Sequence, residues 1–416
     1  ANELIIYPSD LNSNTGFGVS TSIFNNCAVI GSYSGIAYVF TKSNDVWVQH
    51  SKISPDDITS SSNNAFAKSV SIFGDYIIIG ASRDQEHGYN SGAAYVFHKN
   101  NNIWTQQSKL VPSDIKPYDM FGISVCMTNG YAIIGKSGDD EHCFGSGAAY
   151  IYKLSDNKWT FQTKLKANIP KDNEYFGCSV SISDELAIVG ASFDDGQIGK
   201  SISGSAYIFH REEETWAQET VLQNEDQSDE FGRSVSISNN YAIVGAYGND
   251  NQSMDSGAAY IFKRNDKTWD LQNVLTVEDC SIFCHLGFSV SISNDYAIVG
   301  TEDNSNGYLS GSAYVYQRND ENWALLTKIL PNNGKKQDRF GSSVSIFGNE
   351  LFIGVPGNDD KNLETGCVYN LNLLDYDSTH KKKSNTDDYI NGDIDLNGQI
   401  DLQDLILLIK IITKLK

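Results

Sequence analysis

One phrase returns seven times along the chain: FGVSTSIF at 17, FAKSVSIF at 66, FGISVCMT at 121, FGCSVSIS at 176, FGRSVSIS at 231, LGFSVSIS at 286 and FGSSVSIF at 340. A period of roughly fifty to fifty-five residues, held over seven copies, restricts the chain to architectures that stack one small unit. Each phrase is followed by a turn and an apolar run such as YIIIGA, YAIIGK or YAIVGA, then a polar loop, then SGAAYVF or a close variant. A Trp-containing segment closes the unit, and the six Trp of the chain (47, 104, 159, 216, 269, 323) all stand there.

Each unit reads as four short strands. SVSIS alternates and is expected to be half-buried, YAIVG is a continuous buried run, AAYVF is β-branched and aromatic, and W-x-x-Q-x-x-L alternates again. One such sheet cannot bury both faces, and seven of them solve the problem by packing radially into a β-propeller. A linear solenoid is the competing arrangement, disfavoured because no capping repeats are present. The seventh unit lacks a Trp strand, while ELIIYPSD near the start resembles the SKLVPSD and SKISPDD that follow Trp elsewhere. Residues Glu3 to Tyr7 are therefore expected to supply the outer strand of the last blade and remove two open sheet edges. Composition agrees with an all-β body: 35 Gly, 22 Tyr and 19 Phe, with only 7 Pro and 3 Met.

The phrase FG-x-SVSIS…YAIVGA…DSGAAYIF resembles the FG-GAP repeat of integrin α-subunit heads and many bacterial surface proteins. The resemblance covers nearly all of residues 1–374 and implies a seven-bladed propeller, extracellular display, and binding rather than catalysis. It also implies blade-bound calcium in D-x-[DN]-x-D-G loops. The equivalent loops here, SRDQEHG, SGDDEHC, SFDDGQI and YGNDNQS, lack that spacing. Asp84, Asp139, Asp194, Asp250 and Asp359 are the candidates for such weaker metal loops, against the reading that Asp and Asn simply cap the turns. His87 and His142 stand at equivalent loop positions behind a Glu, a transition-metal pattern that solvated loop histidines explain as well.

Strand order puts the loops entering FG and following YAIVGA on one face, which collects the acidic residues. The opposite face holds Lys42, Lys99, Lys158, Arg211, Lys263, Arg264, Lys267 and Arg318. The formal charge of −21, from 52 acidic against 31 basic residues, argues against nucleic acid and anionic membrane surfaces as partners. No apolar run reaches the roughly 18 residues a membrane span needs. The start ANELIIYP reads as a mature form from which a secretion signal has been removed. Seven Cys without CxxC pairs indicate neither a zinc ribbon nor a dense disulfide framework, with Cys280 and Cys284 the one pair close enough in sequence to bridge. No G-x-S-x-G, H-E-x-x-H or phosphate-binding Gly loop is present. Acidic pairs such as Asp194 with Asp195 leave a hydrolase as the minor alternative.

After the propeller, 375–389 is a polar linker, and 390–416 holds D-I-D-L-N-G-Q-I-D-L-Q-D. Oxygen ligands at loop positions 1, 3, 5, 9 and 12 fall on Asp393, Asp395, Asn397, Asp401 and Asp404, with the Gln399 carbonyl at 7 and Gly398 at the sharp turn, the pattern a calcium ion demands. The loop and the LILLIKII after it resemble a dockerin, in a single copy rather than the usual pair. Leu402, Leu405, Ile406, Ile409 and Ile412 recur at helical spacing. Such a helix is expected to dock onto a neighbouring copy, giving a head-to-tail polymer, or onto another protein. The alternative is a monomeric glycan- or protein-binding module with the tail packed as a lid.

Overall fold

The computed structural model describes residues 4–374, apart from 11, 58–63, 194–202, 225–228, 251, 280–281, 303–307 and 332–333. These residues form twenty-eight strands in seven four-stranded antiparallel sheets. Six sheets are continuous in the chain: blade 1 at 20–53, blade 2 at 66–110, blade 3 at 121–165, blade 4 at 179–222, blade 5 at 231–275 and blade 6 at 289–329. Blade 7, at 343–372, takes Leu4–Ile6 as its outer strand, with Ile5 opposite Tyr369. The expected closure by the N-terminal strand is thus present, and one compact unit spans Glu3–Leu371. The linker, the calcium loop and its helix (375–416) lie outside the described residues.

The FG phrase forms the innermost strand of each blade, and each innermost strand neighbours the next around a closed circle, blade 7 against blade 1 included. SVSIS alternates because its two hydroxyls zip neighbouring inner strands together. The first Ser donates to a carbonyl of the next blade, as Ser124 Oγ to Gly177 O and Ser343 Oγ to Gly18 O, both 2.8 Å. The second accepts a backbone N–H, as Ser181 Oγ from Ile237 and Ser291 Oγ from Ile346, both 3.2 Å. Backbone groups that face the next blade are thereby satisfied without a ladder.

The Gly of YAIVG is required by the same approach: a Cβ on Gly135 would lie 2.0 Å from the Gly177 carbonyl oxygen. The FG glycine is required by conformation as well, Gly177 having φ +93°. Apolar residues fill the gaps between blades, for example Ile133 and Ile151 of blade 3 against Val180, Tyr207 and Trp216 of blade 4.

W-x-x-Q also acquires a physical meaning. In blades 1 to 6 the third and outer strands slip register at one place, such as Ile151/Tyr152 in blade 3 and Ile261/Phe262 in blade 5. The extra residue stands three after Trp, and in blades 3, 4 and 5 it receives the indole N–H of the next blade: Trp216 to Gln162 at 3.1 Å, Trp269 to Glu219 at 2.8 Å and Trp323 to Gln272 at 3.1 Å. The bulge turns one side chain toward the neighbouring blade.

Candidate functional site

On the acidic face four positions recur in each blade. They are the residue two before the Phe of FG, the residue four after the Gly of YAIVG, the buried Tyr of the third strand, and the outer-strand residue paired with that Tyr. In blade 3 these are Asp119, Asp139, Tyr150 and Lys164, joined by Lys136 and by Asp114 from the loop leaving blade 2. Lys164 Nζ lies 2.9 Å from Asp114, 2.8 Å from Asp139 and 2.5 Å from Glu141, and Tyr150 Oη donates to Asp114 at 2.7 Å. Lys136, 1 % exposed, sits 2.8 Å from Asp119 and 2.7 Å from Asp139.

Burial would raise the Asp114 carboxyl, but hydrogen bonds from Lys164 and Tyr150 outweigh it and hold the group at about 2. Burial raises Asp119 despite the Lys136 ammonium. In Asp139, also buried, the two lysines win and the carboxyl is lowered.

The arrangement is a staple between blades. Lys109 reaches Asp57 of the loop leaving blade 1 (2.8 Å) together with Asp84 (3.2 Å) and Glu86 (2.6 Å). Lys52 meets Asp10 at 2.7 Å, and Lys328 meets Asp279 at 2.9 Å. Each of these lysines pairs across the strands with its blade's Tyr, the ammonium 5.1 to 5.8 Å from the ring centroid in Lys109 on Tyr95 and Lys52 on Tyr38. Where the loop leaving blade 3 carries Ile169 in place of the Asp, blade 4 carries Val221 in place of the Lys. Blade 5 has Val274 at this position, and Asp226 before it lies outside the described residues.

Asp114, Asp139 and Glu141 gather their oxygens within 4.8 Å, close enough for a metal ion, and theirs is the only such group among the described residues. An ammonium already stands among them. The residues present in blade 3 fit a lysine rather than calcium, and blade 2 repeats the pattern. Asp84 and Asp139 are accordingly buried ion-pair partners. Asp250 and Asp359 stand one residue beyond the buried position, which Asn249 and Asn358 occupy. Asp250 accepts the Asp255 N–H at 2.7 Å, and Asp359 pairs with Lys335 at 2.9 Å.

Asp194 and the whole C-terminal set, Asp393 to Asp404 with the helix positions Leu402 to Ile412, lie outside the described residues. His142 faces Lys166 at 2.6 Å and His87 is exposed; neither belongs to the metal-capable group. The acidic face also carries cations that the sequence reading did not single out, Lys52, Lys109, Lys164, Lys328 and Lys335, each paired with a carboxylate there. Outer strands end on the acidic face, and their last lysines, Lys52, Lys109, Lys164 and Lys328, reach its carboxylates, while Lys335 does so from the loop entering blade 7.

Sequence reading missed the buried pair itself. Among the described residues, blade 2 combines Asn64 with Asp84, blade 5 Asp229 with Asn249, blade 7 Asp338 with Asn358, and blade 3 two acids, with Lys136 where blades 2 and 5 have Ala81 and Ala246; blade 4 has Glu174 at the first position, while its second, Asp194, lies outside the described residues. Aligning the repeats exposes it: in blades 2, 5 and 7 one carboxylate stands with an amide, and in blade 3 two stand with a lysine. In blade 5 Asn249 Nδ2 donates to Asp229 at 2.7 Å.

In blade 7 Asp338 accepts the Lys335 N–H at 2.7 Å. Burial, reinforced by Asp359 and Asp360, pushes this carboxyl from 3.8 up to about 6. A carboxyl raised by folding stabilises the fold only while protonated, so stability falls as pH rises from about 3.8 to 6. Asp338→Asn is expected to stabilise the ring by roughly 1–3 kcal/mol at pH 7 and to flatten the pH 4 to 6 slope of the melting temperature. An unchanged slope refutes the assignment.

The opposite face carries two equivalent clefts, of about 560 and 530 Å³. One holds Tyr241, Arg318, Asp295 and Asn349; the other holds Tyr131, Arg211, Glu185 and Asn240 at the matching positions. In each, the guanidinium stacks on the Tyr ring, at 4.8 Å for Arg318 on Tyr241 and 4.7 Å for Arg211 on Tyr131.

The FG-GAP repeat family matches residues 47–97, 104–152, 159–209, 216–262, 269–316 and 323–371, more than half of the sequence. The chain belongs to the FG-GAP repeat family. Each FG-GAP match begins at a Trp of one blade's outer strand and ends in the third strand of the next blade. The repeat unit therefore bridges two blades, and the same phase makes Leu4–Ile6 plus the first three strands of blade 1 a seventh unit. No curated protein matches the chain. The FG-GAP propeller is a binding fold, compatible with an adhesive role.

Proposed function

We propose that this protein is an extracellular, non-catalytic FG-GAP propeller that binds calcium through its C-terminal loop and uses the helix after it to dock onto a neighbouring copy or another protein in a surface or matrix assembly. The observation that carries this reading is that seven complete sheets close within Glu3–Leu371. The calcium-loop sequence Asp393, Asp395, Asn397, Gln399, Asp401 and Asp404, and the apolar positions Leu402, Leu405, Ile406, Ile409 and Ile412, are then available for a partner.

Family membership speaks for binding and surface display. Cys284 is disulfide-bonded, which suits an oxidising compartment, although five other cysteines are free. Among the described residues no helix is long and apolar enough to cross a membrane. The two matching Tyr–Arg clefts favour a second reading, a glycan- or protein-binding module acting through that face.

Calcium titration of the full chain by calorimetry is expected to show one saturable site. Asp393→Ala with Asp404→Ala should weaken it by at least about 100-fold, because two of the ligating carboxylates are lost. Wild-type protein that takes up no calcium, or a double variant that binds as before, sinks the reading.

A further inference from the structure

The acidic face carries a feature that binding of cations does not explain. Three residues before the Gly of the SGAAYVF-type segment, in blades 2, 3, 5, 6 and 7, stand Tyr89, Phe144, Met254, Tyr308 and Leu363, every one of them at least 57 % exposed. Large apolar side chains at one equivalent place in five blades form a pattern, whereas scattered exposed apolar residues need no explanation.

The loops hold them rigidly. The following residue is left-handed in every case, Asn90, Gly145, Asp255, Leu309 and Glu364 having φ between +47° and +62°. The carbonyl of each apolar residue accepts a backbone N–H from the next blade, at 2.8 Å for Tyr89 from Tyr118, 2.7 Å for Phe144 from Asn173, and 2.8 Å for Leu363 from Asn14. Exposed neighbours enlarge two of these knobs: Tyr118 lies 5.4 Å from Tyr89, ring to ring, and Phe283 donates its N–H to Met254. Carboxylates flank them, with Asp172 accepting the Phe144 N–H at 3.0 Å and Asp250 the Asp255 N–H beside Met254. Apolar knobs pre-ordered beside carboxylates fit an amphipathic segment whose polar side is basic.

The chain contains one such segment. Residues 402–416 read LQDLILLIKIITKLK, an apolar stripe with Lys410, Lys414 and Lys416. The last strand of the ring, Cys367–Asn372, starts beside Phe17 on the acidic face and runs to the level of Glu350 on the opposite face. The chain therefore leaves the ring on the side away from the knobs. The 27 residues between Leu374 and Leu402 extend at most roughly 95 Å, long enough to bring the segment to the acidic face of an adjacent ring on the side where the chain leaves.

We propose that the apolar knobs of the acidic face receive the basic apolar C-terminal segment of a second copy, so that rings stack head to tail. This rests on the docking reading above and assigns its partner and surface.

Sedimentation velocity with calcium tests it on the full chain. The unaltered protein is expected to form multimers that grow with concentration. A knob variant (Tyr89→Ser, Phe144→Ser, Met254→Ser) and a tail variant (Leu405→Asp, Ile409→Asp) should each run as monomers. Their equimolar mixture should form dimers and stop there, since only one productive contact remains. Val46→Ser with Val48→Ser, on an exposed outer strand, should assemble like the unaltered chain.

If the knob variant still assembles while the tail variant does not, this surface is wrong and the docking reading stands. If the unaltered chain is monomeric at its highest soluble concentration, head-to-tail stacking is wrong, and the calcium titration decides separately whether the docking reading falls with it. Carbodiimide cross-links from Lys410 or Lys414 to acidic-face carboxylates, in a mixture of light and heavy isotope-labelled protein, should join different copies. Links within single copies only would overturn the proposal in favour of a lid.

Discussion

Lys136→Ala is expected to lower the stability of the ring by about 3–5 kcal/mol, the cost of removing one partner from a buried ion pair and leaving the other uncompensated. Its ammonium is 1 % exposed and lies within 2.8 Å of both Asp119 and Asp139, themselves 2 % and 3 % exposed. Lys164 still reaches Asp139 after the substitution, but Asp119 keeps only the Lys116 N–H at 2.6 Å. The informative companion is a rescue that copies other blades. Lys136→Ala with Asp119→Asn recreates blade 2, where Ala81 accompanies Asn64 and Asp84; Lys136→Ala with Asp139→Asn recreates blade 5, where Ala246 accompanies Asp229 and Asn249. Either double variant should regain most of the lost stability in guanidinium unfolding. If both doubles remain as unstable as the single variant, charge balance is not what couples these positions. The single variant should also recover toward acid pH, because the two carboxylates escape repulsion and desolvation when protonated.

The contrast between fold and site in this chain has a physical cause. The blades were legible because SVSIS, YAIVG and AAYVF carry alternation and burial over several residues, and seven copies average out local exceptions such as Cys126 in FGISVCMT or Ala67 in FAKSVSIF. Closure was legible because IIYPSD matches the ends of other outer strands. The acidic face was harder, since its chemistry depends on which residues meet across blades. Asp84 and Asp139 attract attention as loop acids, but what decides their role is Lys109 and Lys164, some twenty-five residues on, in a strand that a hydrophobic pattern reads only as alternating. Asn249 and Asn358 were passed over for their acidic neighbours Asp250 and Asp359 because a carboxylate looks functional and an amide does not. Tyr89, Phe144 and Met254 fall in polar loops, where single apolar residues carry no periodic signal; only alignment of the repeats brings them into one column.

Gly354→Val tests whether the seventh junction is as firmly built as the rest. A Cβ there would lie 1.9 Å from Gly18 O and 2.3 Å from Ser343 Oγ, so blades 7 and 1 must separate or the backbone must move. The same substitution at Gly245, in mid-ring, would place its Cβ 2.1 Å from Gly287 O and 2.4 Å from Ser234 Oγ. Within a closed ring the two collisions are equivalent, because each blade is held by neighbours on both sides and neither can swing away. Each variant is expected to lose about 3 kcal/mol, the upper end for overpacking in a rigid interior. Were the strand Leu4–Ile6 only loosely attached to blade 7, that blade would splay outward and Gly354→Val would cost much less than Gly245→Val. Hydrogen exchange distinguishes the outcomes directly. In Gly354→Val, protection should fall at the Leu4–Ile6 ladder to Val368–Asn370 and along the inner strands Ser20–Phe24 and Ser343–Phe347, while in Gly245→Val the loss should centre on blades 5 and 6. Selective loss at the N-terminal strand in both variants would mean that the strand frays independently and that closure lies in the inner strands alone, through Ser343 and Gly18.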